Sequence, residues 1–131
     1  MRYMLDTNTV SSLIKKNPAV SARIASFPME RLCLSVVSEG ELLCGLAEKP
    51  NARNLQMVIQ EFLKRVDVLA WDTAVAEHYG LLRAELEGAG SVLGALDMQI
   101  AAHASQLGAV LVTNDHAFKR VRKLKVEDWT V

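Results

Sequence analysis

Short apolar runs alternate along this chain with longer stretches in which apolar residues recur every three or four positions. Tyr3, Met4 and Leu5 form the first run and stop at Asp6. With no polar outer face they read as a buried strand of an α/β sheet, with Asp6 at its tip. Thr7, Asn8 and Thr9 are placed to cap a helix through Val10, Leu13 and Ile14 to Lys15 and Lys16, which Asn17 and Pro18 end. A short helix from Ala19 to Ala25 follows, then a second buried strand from Leu32 to Val37. Ser38 to Glu41 opens the next helix, which carries Leu42, Leu43 and Leu46 towards Pro50.

From Ala52 to Arg65 the positions Leu55, Val58, Ile59 and Phe62 keep helical spacing against a charged opposite face. Val66 to Leu69 alternates into a short strand, and Asp72 and Thr73 start a helix striped by Val75, Tyr79, Leu82 and Leu86. Gly88 to Ser91 is a loop; Leu96 and Asp97 introduce a helix from Met98 to Gln106 that Gly108 closes. Ala109 to Thr113 is the last clear strand, and it ends in Asn114 and Asp115. Strands too apolar to be half exposed, alternating with helices, predict a small parallel sheet covered on both faces within one domain over residues 1–131.

Charge narrows the possible partners. Fifteen basic residues balance 15 acidic ones, so no global field draws in a polyanion, which must be gripped locally or through metal. Cys33 and Cys44 stand in no zinc or redox pair and read as reduced core thiols of a cytoplasmic protein. No apolar run reaches membrane-spanning length.

Four carboxylates mark element ends: Asp6, Glu41, Asp97 and Asp115. In a parallel sheet the carboxyl ends of strands and the starts of the following helices share one edge, so all four are able to face one cleft. Each has a purely structural alternative: helix capping for Asp6 and Asp97, a capping box from Ser38 to Glu41, and a turn for Asp115. Gathered carboxylates repel and raise one another's pKa. A hard divalent ion, Mg²⁺ or Mn²⁺, relieves this and suits oxygen ligands, whereas His78, His103 and His116 lack zinc spacing. His78 and His103 read as packing or surface residues, and His116 as a neighbour of Asp115.

Asp6-Thr7-Asn8 after an apolar strand, Ser38 before Glu41-Leu42 and Gly45, Asp97 before Gln99-Ile100-Ala101, and Thr113-Asn114-Asp115 with Phe118 beyond together resemble the PIN-domain signature. More narrowly, the whole chain to Trp129 resembles VapC-type toxin ribonucleases of bacterial toxin–antitoxin pairs. The resemblance implies a three-layer α/β/α fold with a small, mainly parallel central sheet, and an Mg²⁺- or Mn²⁺-dependent endoribonuclease. It also implies a homodimer inhibited by a cognate VapB-like antitoxin, with a transfer or ribosomal RNA loop as substrate. The family's acidic quartet falls on Asp6, Glu41, Asp97 and Asp115; Asn8, Thr113 and Asn114 match its polar neighbours.

Lys119, Arg120, Arg122, Lys123 and Lys125, with Lys15 and Lys16, are the local cations available for RNA phosphates. The apolar groove between the early helices and the helix at 52–65, with Leu43 and Leu46, is the expected dock for an antitoxin helix. Three other readings compete. Asp6 at a strand end suits an aspartyl-phosphate protein, although Asn8 replaces the second Asp of the phosphatase type. Gly88, Gly90 and Gly94 suggest a nucleotide loop without its usual spacing or strand. A PIN-like module that only binds its antitoxin on DNA is the third.

Overall fold

The computed structural model describes residues 1–131. Strands β1 (Tyr3–Leu5), β2 (Leu32–Ser35), β3 (Asp67–Leu69), β4 (Val110–Val112) and β5 (Val126–Glu127) form one sheet in the order β3-β2-β1-β4-β5. Every neighbouring pair is parallel, with Tyr3 opposite Leu32 on one side and Val110 on the other. Helices α1 (Thr7–Ile14), α2 (Pro18–Ala25), α3 (Val36–Glu48), α4 (Arg53–Arg65), α5 (Thr73–Gly88) and α6 (Ala95–Leu107) make the connections. Tight 3-10 turns occupy Met29–Arg31 and His116–Arg120. The expected three-layer α/β/α architecture is the one observed.

Side-chain alternation divides the interior in two. Met4, Cys33 and Leu111 point to the face covered by α5 and α6, where they meet Leu82, Leu86, Met98 and Ala101. Leu5, Leu32, Leu34 and Val112 point to the other face, against Val10, Val20, Leu42, Leu46 and Ile59. All seven sheet residues are fully buried. Burying one such side chain contributes about 1.5–3 kcal/mol, against about 1 kcal/mol net for a ladder hydrogen bond. Strands of three residues are therefore held mainly by the layers pressed on them.

Several boundaries differ from the sequence expectation. Helix α1 stops at Ile14, with Lys15 as its cap and Lys16 left-handed at φ 62°. The second strand ends at Ser35, whose hydroxyl accepts from the Val37 N–H (3.2 Å), so α3 begins before Ser38. Val36 and Val37 continue the apolar run of β2 in sequence, yet both belong to the first turn of α3, with Val36 exposed and Val37 half buried. Cys33 is buried as expected, but Cys44 is exposed on α3 and donates to Glu48 Oε1 (3.3 Å). Strand β5 escapes sequence reading because it has only two residues, both half buried. Trp129 fastens it: the indole is 1% exposed, stacks on Phe27 and meets Tyr3.

Gly108 closes α6 at φ 72°, as its position after the apolar stripe predicts. An added Cβ there would meet nothing within 4 Å, so only backbone strain opposes a side chain. Gly108→Ala is expected to lower unfolding free energy by about 1–2 kcal/mol, read from the urea midpoint. An unchanged midpoint would show that the turn re-forms without a left-handed residue.

Candidate active site

The centre of the sheet positions the first carboxylate. Asp6 follows β1, its N–H donating to the Val112 carbonyl of neighbouring β4 (3.1 Å). Its Oδ1 accepts from the Thr9 N–H (2.8 Å) and so caps α1, and the Thr9 hydroxyl donates to the same Val112 carbonyl (2.9 Å). The side chain is only 5% exposed. Beside it, β4 runs into Thr113, whose Oγ1 accepts from the Asp115 N–H (3.0 Å). That acceptor role leaves the Thr113 proton free for the Asp6 carboxylate. Asp115 in turn caps the following 3-10 turn by accepting from the Ala117 N–H (2.9 Å).

The other two carboxylates arrive on helices. Glu41 lies in the second turn of α3, where Thr7 Oγ1 donates to its Oε1 (3.1 Å). Because α3 is capped by Ser35, the capping-box alternative for Ser38 and Glu41 falls away; Ser38 Oγ is buried without a hydrogen-bond partner. Asp97 is the third residue of α6, which is capped by Gly94, so Asp97 is not the cap either. Asp6 and Asp115 do cap, and each still has a second carboxylate oxygen to present. The glycine-containing loop feeds α6 and Asp97 without a strand before it, unlike a nucleotide loop.

Electrostatics ties the four together. Burial first, then the charges of Asp115, Glu41 and Asp6, raise the pKa of Asp97. This outweighs the favourable field of the helix start. The Asp6 pKa is also raised, chiefly by burial and slightly by Asp115, against the lowering pull of hydrogen bonds from Thr113 and Thr9. No three His, Cys, Asp or Glu side chains wrap a single point closely enough to hold an ion unaided. An all-oxygen set that supplies one or two direct ligands and leaves room for water fits Mg²⁺ or Mn²⁺ better than zinc. Two histidines are engaged elsewhere: His103 Nδ1 pairs with Ser35 Oγ (2.7 Å) and His78 Nε2 with Ser105 Oγ (2.9 Å).

The surroundings sort the remaining sequence candidates. Asn8 and Asn114 are exposed at the rim. Asn114 lines a polar recess of about 140 Å³ with Thr113, Asp115, His116, Lys119 and Asp128. Of the basic cluster only Lys119 enters that recess; Arg120 turns to the Val92 carbonyl (3.4 Å), and Arg122, Lys123 and Lys125 lie on the outer surface. On the opposite flank a cleft of about 320 Å³ contains Thr7, Glu41, Lys15 and Lys49. Thr7 and Lys49 were not legible as site residues. Thr7 reads as a cap, and its partner Glu41 is 34 residues away.

A parallel sheet with four carboxylates at the carboxyl edge of its central strands defines an α/β protein with an acidic, oxygen-donor site. The PIN domain family model matches residues 3–124. The chain is 41% identical to the tRNA(fMet)-specific endonuclease VapC of Shigella flexneri, over 99% of both chains. Among solved structures it is similar to DNA-bound VapBC from Salmonella typhimurium, at 34% identity and TM-score 0.90 over 98% of each chain. VapBC2 of Rickettsia felis bound to promoter DNA gives 32% identity and TM-score 0.88, over 98% of this chain and 99% of that one. The chain belongs to the PIN-domain family, in its VapC group. That membership sets aside the aspartyl-phosphate and dinucleotide alternatives.

The raised pKa values make a stability prediction. Between the ordinary aspartate value of 3.8 and the raised folded value, the native state binds more protons than the unfolded state, so stability falls as pH rises through that window. The penalty is fully present at neutral pH. Asp97→Asn is therefore expected to raise the urea midpoint at pH 7 in chelator, with the gain shrinking as the pH is lowered towards the ordinary carboxylate range. A lower midpoint at pH 7 would contradict the repulsion argument.

Proposed function

We propose that this chain is the endoribonuclease toxin of a toxin–antitoxin pair and acts in the cytoplasm. The observation that carries the reading is the gathering of Asp6 and Asp115 after β1 and β4 with Glu41 and Asp97 from the early turns of α3 and α6, near enough for the other three to raise the proton affinity of Asp97. Asp6, Asp97 and Asp115, with Glu41, are the residues that would hold a divalent ion, Mg²⁺ or Mn²⁺. When bound, such an ion supplies positive charge against the phosphodiester and makes water more acidic. Glu41 accepts the proton of the attacking water, and the Thr7 hydroxyl keeps its carboxylate aimed into the site. Thr113 and Thr9 hold Asp6 in one orientation. The intact quartet favours an enzyme over a module that only binds.

The Shigella relative is named for a transfer RNA, and an exposed single-stranded loop of a transfer or ribosomal RNA is a suitable substrate because its backbone can bend into the acidic cleft. The Salmonella and Rickettsia neighbours are toxin–antitoxin complexes on DNA, which supports a VapB-like antitoxin as partner here. Its dock differs in detail from the sequence expectation. Leu46 is 4% exposed in the core, while an apolar groove of about 570 Å³ runs between α1, α2 and α4, past Leu13, Ile24, Met57, Val58 and Phe62.

Glu41→Gln is expected to lower kcat for RNA cleavage by about 10²–10⁴-fold with little change in fold, and Asp6→Ala to lose divalent-ion binding and cleavage together. Calorimetric Mn²⁺ titration with RNA cleavage on the same samples checks both. Retained cleavage in Asp6→Ala would remove the quartet from the mechanism. For the partner, Met57→Glu alters a side chain 64% exposed in the groove. It is expected to weaken antitoxin binding at least about tenfold, the scale of losing one buried apolar anchor. Unchanged affinity would move the dock elsewhere.

A further inference from the structure

Helix α3 carries Gly45 one turn beyond Glu41, in its interior. Glycine disfavours a helix interior and is usually explained by a positive φ or by a close neighbour. Neither applies here: Gly45 has an ordinary helical φ, and an added Cβ would meet nothing within 4 Å. The space beyond it is the 320 Å³ cleft that opens beside Glu41. Glycine at this position keeps that cleft wide.

The chemistry of the cleft is mixed in a particular way. Its floor is apolar, from Leu42 and Ile59, and Ser11 supplies a hydroxyl at its side. Lys15 and Lys49 stand at the same cleft, and neither makes an ion pair with any carboxylate within 4 Å. Glu48, also present, accepts from Cys44. A ligand matched to these features has a flat apolar face, hydroxyls and a negative charge, in a volume at the lower end of ligand pockets.

We propose that the cleft walled by Gly45, Lys15 and Lys49 is the subsite for the nucleotide adjacent to the scissile phosphate, its base on the Leu42 and Ile59 floor and its outer phosphate between the two lysines. Contiguity with Glu41 sets its place next to the bond that is cut. Lys119, in the recess beside Asp115, faces the strand on the opposite flank of the quartet. The substrate backbone thus crosses the carboxylates with a cation on each side, which answers how a chain of zero net charge holds RNA. This inference rests on the endoribonuclease reading.

Gly45→Met places a side chain in the cleft while improving helix propensity, and Gly80→Met, in the interior of α5 with equally open space for a side chain, serves as its control. The probe is a short fluorescein-labelled single-stranded RNA of mixed sequence, bound in chelator so that nothing is cut, with cleavage of bulk transfer RNA in Mn²⁺ run alongside. Gly80→Met is expected to match wild type and Gly45→Met to bind at least about tenfold more weakly, with no lower melting temperature. The Lys15→Ala/Lys49→Ala double variant is expected to reduce the slope of log K against log salt by about 0.7, the share of one neutralised phosphate on a single strand. If wild type neither binds nor cuts RNA, the endoribonuclease reading fails and the subsite falls with it. If wild type binds and cuts but Gly45→Met equals it, the subsite alone is wrong. Normal RNA binding by Gly45→Met with loss of antitoxin inhibition would overturn the proposal in favour of a peptide occupant.

Discussion

A buried negative charge at the end of the central strand is the constraint around which this molecule is arranged. Asp6 is almost wholly out of solvent, and burial raises its proton affinity. The hydrogen bonds that oppose this come from Thr9 in α1 and Thr113 beyond β4. Both depend on β1 and β4 being neighbours in register, because the Val112 carbonyl receives the Asp6 N–H and the Thr9 hydroxyl together. The pairing of two three-residue strands and the orientation of one carboxylate are thus a single structural fact.

The rest of the site adds charge to a place already unfavourable for it. Asp97 is brought in on α6 and Glu41 on α3, and the resulting repulsion shows in the raised proton affinity of Asp97. The fold pays for this with the two hydrophobic layers, whose large side chains fix α3 and α6 against opposite faces of the sheet. Such a site is poised to gain a cation. The neighbouring lysines make no ion pair with the quartet, so none of its charge is neutralised within the chain.

Structural and functional readings of one residue are not exclusive. Asp6 and Asp115 cap a helix and a 3-10 turn through one oxygen and retain the other for the cleft. For Glu41 and Asp97 the structural alternatives disappear, because Ser35 and Gly94 are the caps of α3 and α6. The distinction turns on a three-residue shift of the cap, from Ser38 to Ser35 and from Asp97 to Gly94, which periodicity does not resolve when the first turn packs on a sheet.

The alternation of short apolar runs with amphipathic stretches was sufficient to specify a parallel sheet between helical layers, since a strand without a polar face must be covered on both sides. The order of carboxylates after strands and near helix starts likewise put Asp6, Glu41, Asp97 and Asp115 where they are able to share an edge. Tertiary structure alone decided the contacts between residues far apart in the chain: the Thr7 bond to Glu41, the exclusion of Arg120, Arg122, Lys123 and Lys125 from the cleft, the exposure of Cys44, and the addition of β5 through Trp129. Local pattern encodes which face of an element is apolar. It does not encode which distant side chain stands opposite, because that depends on the packing of whole helices against one another.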